Sequence, residues 1–174
     1  KNTTGILAPL RGMRALRLTA EHSVSSTVAT EVTGLEVAIP AAGTYQFIYH
    51  LLLQSTAAGT GVGVGINYTG TATRLAAIRN YLSGGAAACS GTMMSSANVL
   101  TGNIYEGHAI QAETTTSVNS MTTGVQSANA DCYNKVEGII VVSDTGNLEL
   151  WHASETASAT RVEEESCVIV TRLV

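Results

Sequence analysis

Aromatic side chains are scarce in this chain, with one Phe, one Trp and six Tyr among 174 residues, and charged residues make up only 13%. That scarcity argues against a sugar platform or a base-stacking surface, both of which recruit aromatic faces. Cys89, Cys132 and Cys167 are three, with no CxxC spacing, which disfavours both a disulfide scaffold and a zinc site. Their expected state is a buried free thiol, with an intermolecular disulfide between identical subunits as the alternative. No apolar run approaches the ~20 residues that span a bilayer, so no membrane association is expected. Gly-Lys-Ser/Thr is absent, and the alternating Gly59, Gly61, Gly63 and Gly65 fail the GxGxxG spacing, which removes both phosphate-cradling signatures.

The length suits one domain, long enough to bury about 70% of the unfolded surface. Residues 1–20 show no initiator Met and no leader pattern, as expected of a sequence that starts inside a longer product, so localisation is not legible there. Charge is unevenly placed. Lys1, Arg11, Arg14 and Arg17 put four positive charges and no acid in the first 17 residues, leaving five basic and thirteen acidic residues behind them. Residues 1–13, with Gly5, Pro9 and Gly12, read as an extended arm, and 14–174 as the folded domain. The basic residues Lys1, Arg11, Arg14 and Arg17 are candidates for docking on an acidic protein surface or a neighbouring subunit; the alternative is a solvated tail. Direct nucleic-acid binding is not expected from so few cations.

What is present is a two-residue rhythm. In YQFIYHLLLQ, Tyr45, Phe47, Tyr49, Leu51 and Leu53 alternate with Gln46, Ile48, His50, Leu52 and Gln54, which predicts a strand with one fully apolar and one mixed face. Strands are also predicted from Arg14 to Ala20, around Leu35–Ile39 before a turn through Pro40–Gly43, and across GTGVGVGINYTG, where glycines leave one face bare for close approach. TRLAAIRNYL, residues 73–82, fits a strand or a short helix. The stretch that follows, SGGAAACSGTMMSSAN, is a low-complexity run of small residues, and in residues 99–131 the Thr/Ser-rich pattern favours strands over helices. NKVEGIIVVSDTGNLELWHASE reads as a hairpin about Asp144–Asn147, and SCVIVTRLV as the last strand, with Glu163–Glu165 as a solvated loop before an edge strand. Roughly seven to nine strands without a long helix predict an all-β antiparallel sandwich or jelly roll.

Chemistry finds little purchase. His22, His50, His108 and His152 lack metal-ligand spacing, and no GxSxG elbow accompanies Asp131 or Asp144. Glu106 and Glu113 lack an aromatic platform for glycosidic work, and Glu163–Glu165 lacks the DxDxDG pattern of a calcium loop. The expectation is a non-enzyme without metal or cofactor, in which His50 is a partly buried, hydrogen-bonded side chain or lines a subunit contact.

VTGLEVAIPAAGTYQFIYHLLLQSTAAGTGVGVGINYTG, followed by VEGIIVVSDTGNLELWHASE and SCVIVTRLV, resembles a jelly-roll domain of tailed-bacteriophage virion proteins. Pro40, Gly43, Tyr45 and Phe47 are similarly placed in tumour necrosis factor- and complement-type trimeric jelly rolls. The resemblance covers residues 14–174 and implies a homotrimer on the outside of a phage capsid, a decoration or cement protein docked on the major capsid protein and assembled in the host cytoplasm. A tail-fibre or spike domain binding the host surface is the other implied role. In either, Ile48, His50 and Leu52 are the candidate trimer contact, since a strand with a second apolar face suits a subunit interface.

Overall fold

The structure is a computed structural model that describes residues 12–81, 91–94, 108–112, 118–122 and 128–173. Its strands, in chain order, are β1 (Met13–Arg17), β2 (His22–Val24), β3 (Thr30–Glu31), β4 (Val37–Ile39), β5 (Gly43–Ser55), β6 (Val62–Tyr68) and β7 (Ala72–Tyr81). They continue with β8 (Gly91–Met94), β9 (His108–Ala112), β10 (Val118–Thr122), β11 (Cys132–Val142), β12 (Gly146–Ser154), β13 (Thr160–Val162) and β14 (Cys167–Arg172). No helix occurs among the described residues, and so none that could cross a membrane. Residues 73–81, equally readable as a short helix, lie in β7, where pairing with β11 supplies the tertiary support that decides an ambiguous pattern.

Two antiparallel sheets pack face to face. The eight-stranded sheet runs β1-β14-β5-β11-β7-β9, with β13 bridging β5 to β2; the six-stranded sheet runs β3-β12-β6-β10-β8, with β4 also on β12. The chain passes from one sheet to the other between β5 and β6 and again between β11 and β12, while β5 neighbours β11 and β6 neighbours β12. This double crossing is the interleaving of a jelly roll, and the fold is an antiparallel β-sandwich. The N-terminal arm, with Lys1 and Arg11, lies outside the described residues.

The predicted apolar face of β5 fills the core. Tyr45, Phe47, Tyr49, Leu51 and Leu53 are all buried, against Leu35, Ile39, Val136, Ile140, Leu148, Leu150 and Val168 from both sheets. Phe47 stands beside Gly138 of β11, where an added Cβ would lie 2.6 Å from the ring and 2.3 Å from the carbonyl oxygen of Ala76. Glycine is there because the backbone and ring occupy its side-chain space. On β6, Val62, Val64, Ile66 and Tyr68 are buried, while Gly65 on the opposite face stands in register with Trp151.

Two expectations are corrected. Residues 134–155 do not form a hairpin: β11 pairs with β5 and β7, and β12 with β6, β4 and β3. The Asp144 carboxylate accepts the Thr71 N–H at 2.6 Å and the Thr71 hydroxyl at 2.8 Å, tying the connection to the β6–β7 loop, so the turn residues steer a crossing between sheets. The final strand is not an edge either, because β14 lies between β1 and β5. The loop before it does carry exposed Glu164 and Glu165, and Glu165, at φ 72°, forms an ion pair with Arg17.

Candidate assembly face and buried polar cluster

Period-two alternation turns Ile48, His50 and Leu52 to the outside of the eight-stranded sheet, each half-buried. Register then builds rows across the strands. Ala15, Ile169, Ile48, Glu137 and Ile78 form one row from β1 to β7, and Met13, Thr171, Gln46, Ile139 and Ala76 form the next. A third row carries Arg17, Cys167, His50 and Lys135. Ile139 is 45% exposed. The resulting surface is an aliphatic patch bordered by charge, without a second layer over it among the described residues.

Its charged members and His50 are already paired. His50 Nδ1 lies 2.6 Å from the Tyr133 hydroxyl, and the two rings stack with centroids 6.1 Å apart. Lys135 Nζ and Glu137 Oε1 are 2.8 Å apart. Neutralised in this way, the charges can enter an interface at lower cost than isolated ones. Of the basic residues proposed for docking, Arg14 donates through Nη1 to the Ala38 carbonyl at 2.8 Å, and Arg17 is the ion-pair partner of Glu165. The structure thus brings Ile48, His50 and Leu52 together with Arg17 on one sheet face, and turns Arg14 toward the other sheet.

The cysteine expectation is also corrected. Cys132 and Cys167 are only half-buried, because Cys132 opens β11 and Cys167 takes the outward position beside His50; Cys89 lies outside the described residues. Burial, then the charge of Glu165, raises the Cys167 thiol above its ordinary pKa, while a backbone hydrogen bond from His50 opposes the rise. At neutral pH the group is a protonated thiol rather than a nucleophilic thiolate.

A second cluster, not legible in the sequence, lies between the sheets. Arg79 of β7 is fully buried; its Nε donates to Asn134 Oδ1 at 2.9 Å and its Nη1 to the Val62 carbonyl at 3.0 Å. His152 of β12 is also fully buried, with Nε2 3.0 Å from Thr160 Oγ1 and its ring edge-on to His22 at 5.5 Å. Its Nδ1 has no hydrogen-bond partner. Burial, followed by the nearby His22 and Arg79, lowers the His152 pKa to about 3, and burial lowers that of His22 as well. The His152–Thr160 pair has the element types of a base and a hydroxyl nucleophile, but both are closed off from solvent, so its role is to hold β13 against β12. Only the alternation of β12, which places His152 in phase with Leu148 and Leu150, foreshadowed its burial.

On the outer face of the six-stranded sheet, Glu149 accepts the Trp151 indole N–H at 2.9 Å and the Asn67 amide at 2.8 Å. Burial raises the pKa of nearby Glu31, helped by the charges of Glu149 and Glu36. Among the described residues, no group of three or more His, Cys, Asp or Glu is placed to hold a metal ion.

The geometry defines a β-sandwich whose most distinctive surface is an apolar sheet face. Comparison with family models and with curated proteins finds no match to this chain.

Proposed function

We propose that the protein is a virion structural protein, a homotrimer that decorates the outside of a bacteriophage capsid and stabilises the lattice through contacts with the major capsid protein. The observation that carries this reading is the aliphatic patch of Ile48, Ile139 and Ile169 on the outer face of the eight-stranded sheet, its adjacent charges already paired. Aliphatic side chains on a flat, half-exposed sheet gain free energy when a second copy covers them, at roughly 25 cal/mol per Å². The sequence resemblance supplies the threefold arrangement and the capsid as partner. Decoration then works mechanically, with each seated trimer adding contact area that opposes internal pressure.

Light scattering after size exclusion tests assembly: wild type elutes as a trimer, and Ile48→Asp with Ile139→Lys elutes as a folded monomer of unchanged circular dichroism. A wild-type monomer at about 100 times a micromolar concentration would overturn the assembly claim. Capsids stripped of the protein test the partner. Rebinding with restored resistance to heat and osmotic shock is expected, whereas binding to host cells with no affinity for capsids would select a tail-fibre role.

A further inference from the structure

Residues 19–31 cross from one sheet to the other, β2 pairing with β13 of the eight-stranded sheet and β3 with β12 of the six-stranded one. Both ends of this segment are fixed. Buried Leu18 donates to the Ser166 carbonyl at 2.7 Å and accepts from the Glu165 N–H at 3.0 Å, and fully buried Val32 donates to the Leu150 carbonyl at 2.8 Å. Between these anchors the hold is light. β2 places three residues on β13, β3 places two on β12, the Ser154 N–H reaches the Ser26 carbonyl at 2.9 Å, and Val28 is 70% exposed. Short ladders and few buried contacts are what let a segment open before the rest of its domain.

Two histidine rings lie under it. His22 of β2 has Nε2 3.3 Å from the Thr30 hydroxyl of β3, across the segment, and its ring stands edge-on to His152 with centroids 5.5 Å apart. His152 is fully buried opposite Thr30 of β3 and Val64 of β6, its Nε2 beside Thr160 of β13 and its Nδ1 without a partner. Among the described residues, the charged or titratable groups that act on it are His22 and Arg79 of β7. Glu31, in register with Trp151, sits instead with Glu149 and Glu36, and Glu21 lies 3.8 Å from Arg161. Closure thus packs two imidazoles and a guanidinium together and needs both rings neutral.

We propose that residues 19–31 form an acid-released strap, closed over His152 while both rings are neutral and lifted from its Leu18 and Val32 anchors when they take up protons. Above about pH 6.5 neither ring is charged in either form, and the strap stays closed. Below that, the open form binds protons that the closed form refuses, because burial lowers the pKa of both His22 and His152. Opening is therefore favoured as pH falls, by at least ~tenfold per unit. Lifting the strap uncovers His152, Thr160, Ser154 and Val162, all fully buried when it is closed, and frees the imidazole and hydroxyls of that recess to meet solvent. The device is separate from the assembly face, which lies on the outside of the eight-stranded sheet around Ile48.

The test is amide exchange of the full chain, corrected for the intrinsic rate. Protection at His22–Val24 and Thr30–Glu31 is expected to fall at least ~tenfold per unit below about pH 6.5. Urea well below the unfolding midpoint separates strap opening from global unfolding: strap exchange should hardly respond, while exchange at Phe47 and Ile140 accelerates. His22→Gln combined with His152→Gln is expected to flatten the pH dependence of the strap, since the carboxylates are shared with wild type. A Ser23→Cys, Arg161→Cys pair at facing positions of β2 and β13, with Cys89, Cys132 and Cys167 replaced by Ser, should hold the strap shut in acid until a reductant is added. Strap protection that does not change with pH in the wild type would overturn the proposal. So would strap amides that match Phe47 and Ile140 in protection and urea response at every pH, or a pH dependence that survives removal of both histidines.

Discussion

Acid should unfold this protein through His152 well before its carboxylates are fully titrated. Above about pH 6.5 neither the folded nor the unfolded state protonates the ring, and His152 adds nothing to the pH dependence. Below that, the unfolded chain takes up a proton that the folded chain refuses, because the ring is buried near Arg79 and edge-on to His22 and its folded pKa is about 3. Stability therefore falls as pH drops through the interval from 6.5 toward about 3, by ~1.4 kcal/mol per pH unit. At about pH 4.5 the loss is ~2.7 kcal/mol, a large share of the ~5–15 kcal/mol that holds a domain together. Urea midpoints across the range from neutral to about pH 4.5, for wild type and His152→Gln, isolate the term, since shared carboxylate effects cancel in the difference. Gln keeps a hydrogen-bonding partner for Thr160 but cannot titrate. The wild type should lose stability relative to the variant by ~1.4 kcal/mol per unit once below pH 6.5. Parallel curves for the two proteins would refute the reasoning, as would a His152 ring resonance in NMR that titrates near its ordinary pH.

Gly138→Val should destabilise by ~3 kcal/mol or more, since its side chain meets the Phe47 ring and the Ala76 carbonyl, and chemical denaturation would measure it. Arg79→Met should cost ~3 kcal/mol in the same assay by leaving Asn134 and the Val62 carbonyl without their buried donor. Asp144→Ala should cost ~1–2 kcal/mol and raise amide exchange at Thr71, whose N–H and hydroxyl both donate to that carboxylate. Breaking the exposed Arg17–Glu165 pair by Glu165→Gln should change the thermal midpoint little, because both side chains remain largely solvated.

The fold was readable wherever one face of a strand met the core. Alternation in β5 named five buried residues correctly because burial on one side imposes a period of two. Strand pairing was not readable. Asp144–Asn147 has the composition of a hairpin turn, yet Asp144 caps Thr71 and the chain crosses between sheets. Local turn chemistry fixes the bend, while the partner of each strand is chosen by long-range packing. The polar cluster was hidden for the same reason: Arg79, Asn134, His152 and Thr160 come from four strands spread over 82 positions in the sequence, and only the sandwich brings them together. Ile48 and its neighbours were visible as a second apolar face, but the contribution of Ile169 and Ile139 to the same patch depended on the order β14-β5-β11.

That order also separates the buried polar cluster from the face proposed for assembly. The His152 cluster lies between the sheets and the aliphatic patch on the outside of one of them, with the β5 backbone in between. A change in assembly should therefore leave the acid response of the protomer intact, while raising its stability in proportion to the logarithm of protein concentration. Substitutions at Ile48 and His152 share no partner, so their effects on protomer stability should add within ~0.5 kcal/mol. A substantial coupling between them, measured by a double-mutant cycle at a concentration where the protein is monomeric, would mean that the sheet transmits strain from its outer face to the core, and the division between assembly face and stabilising core would fail.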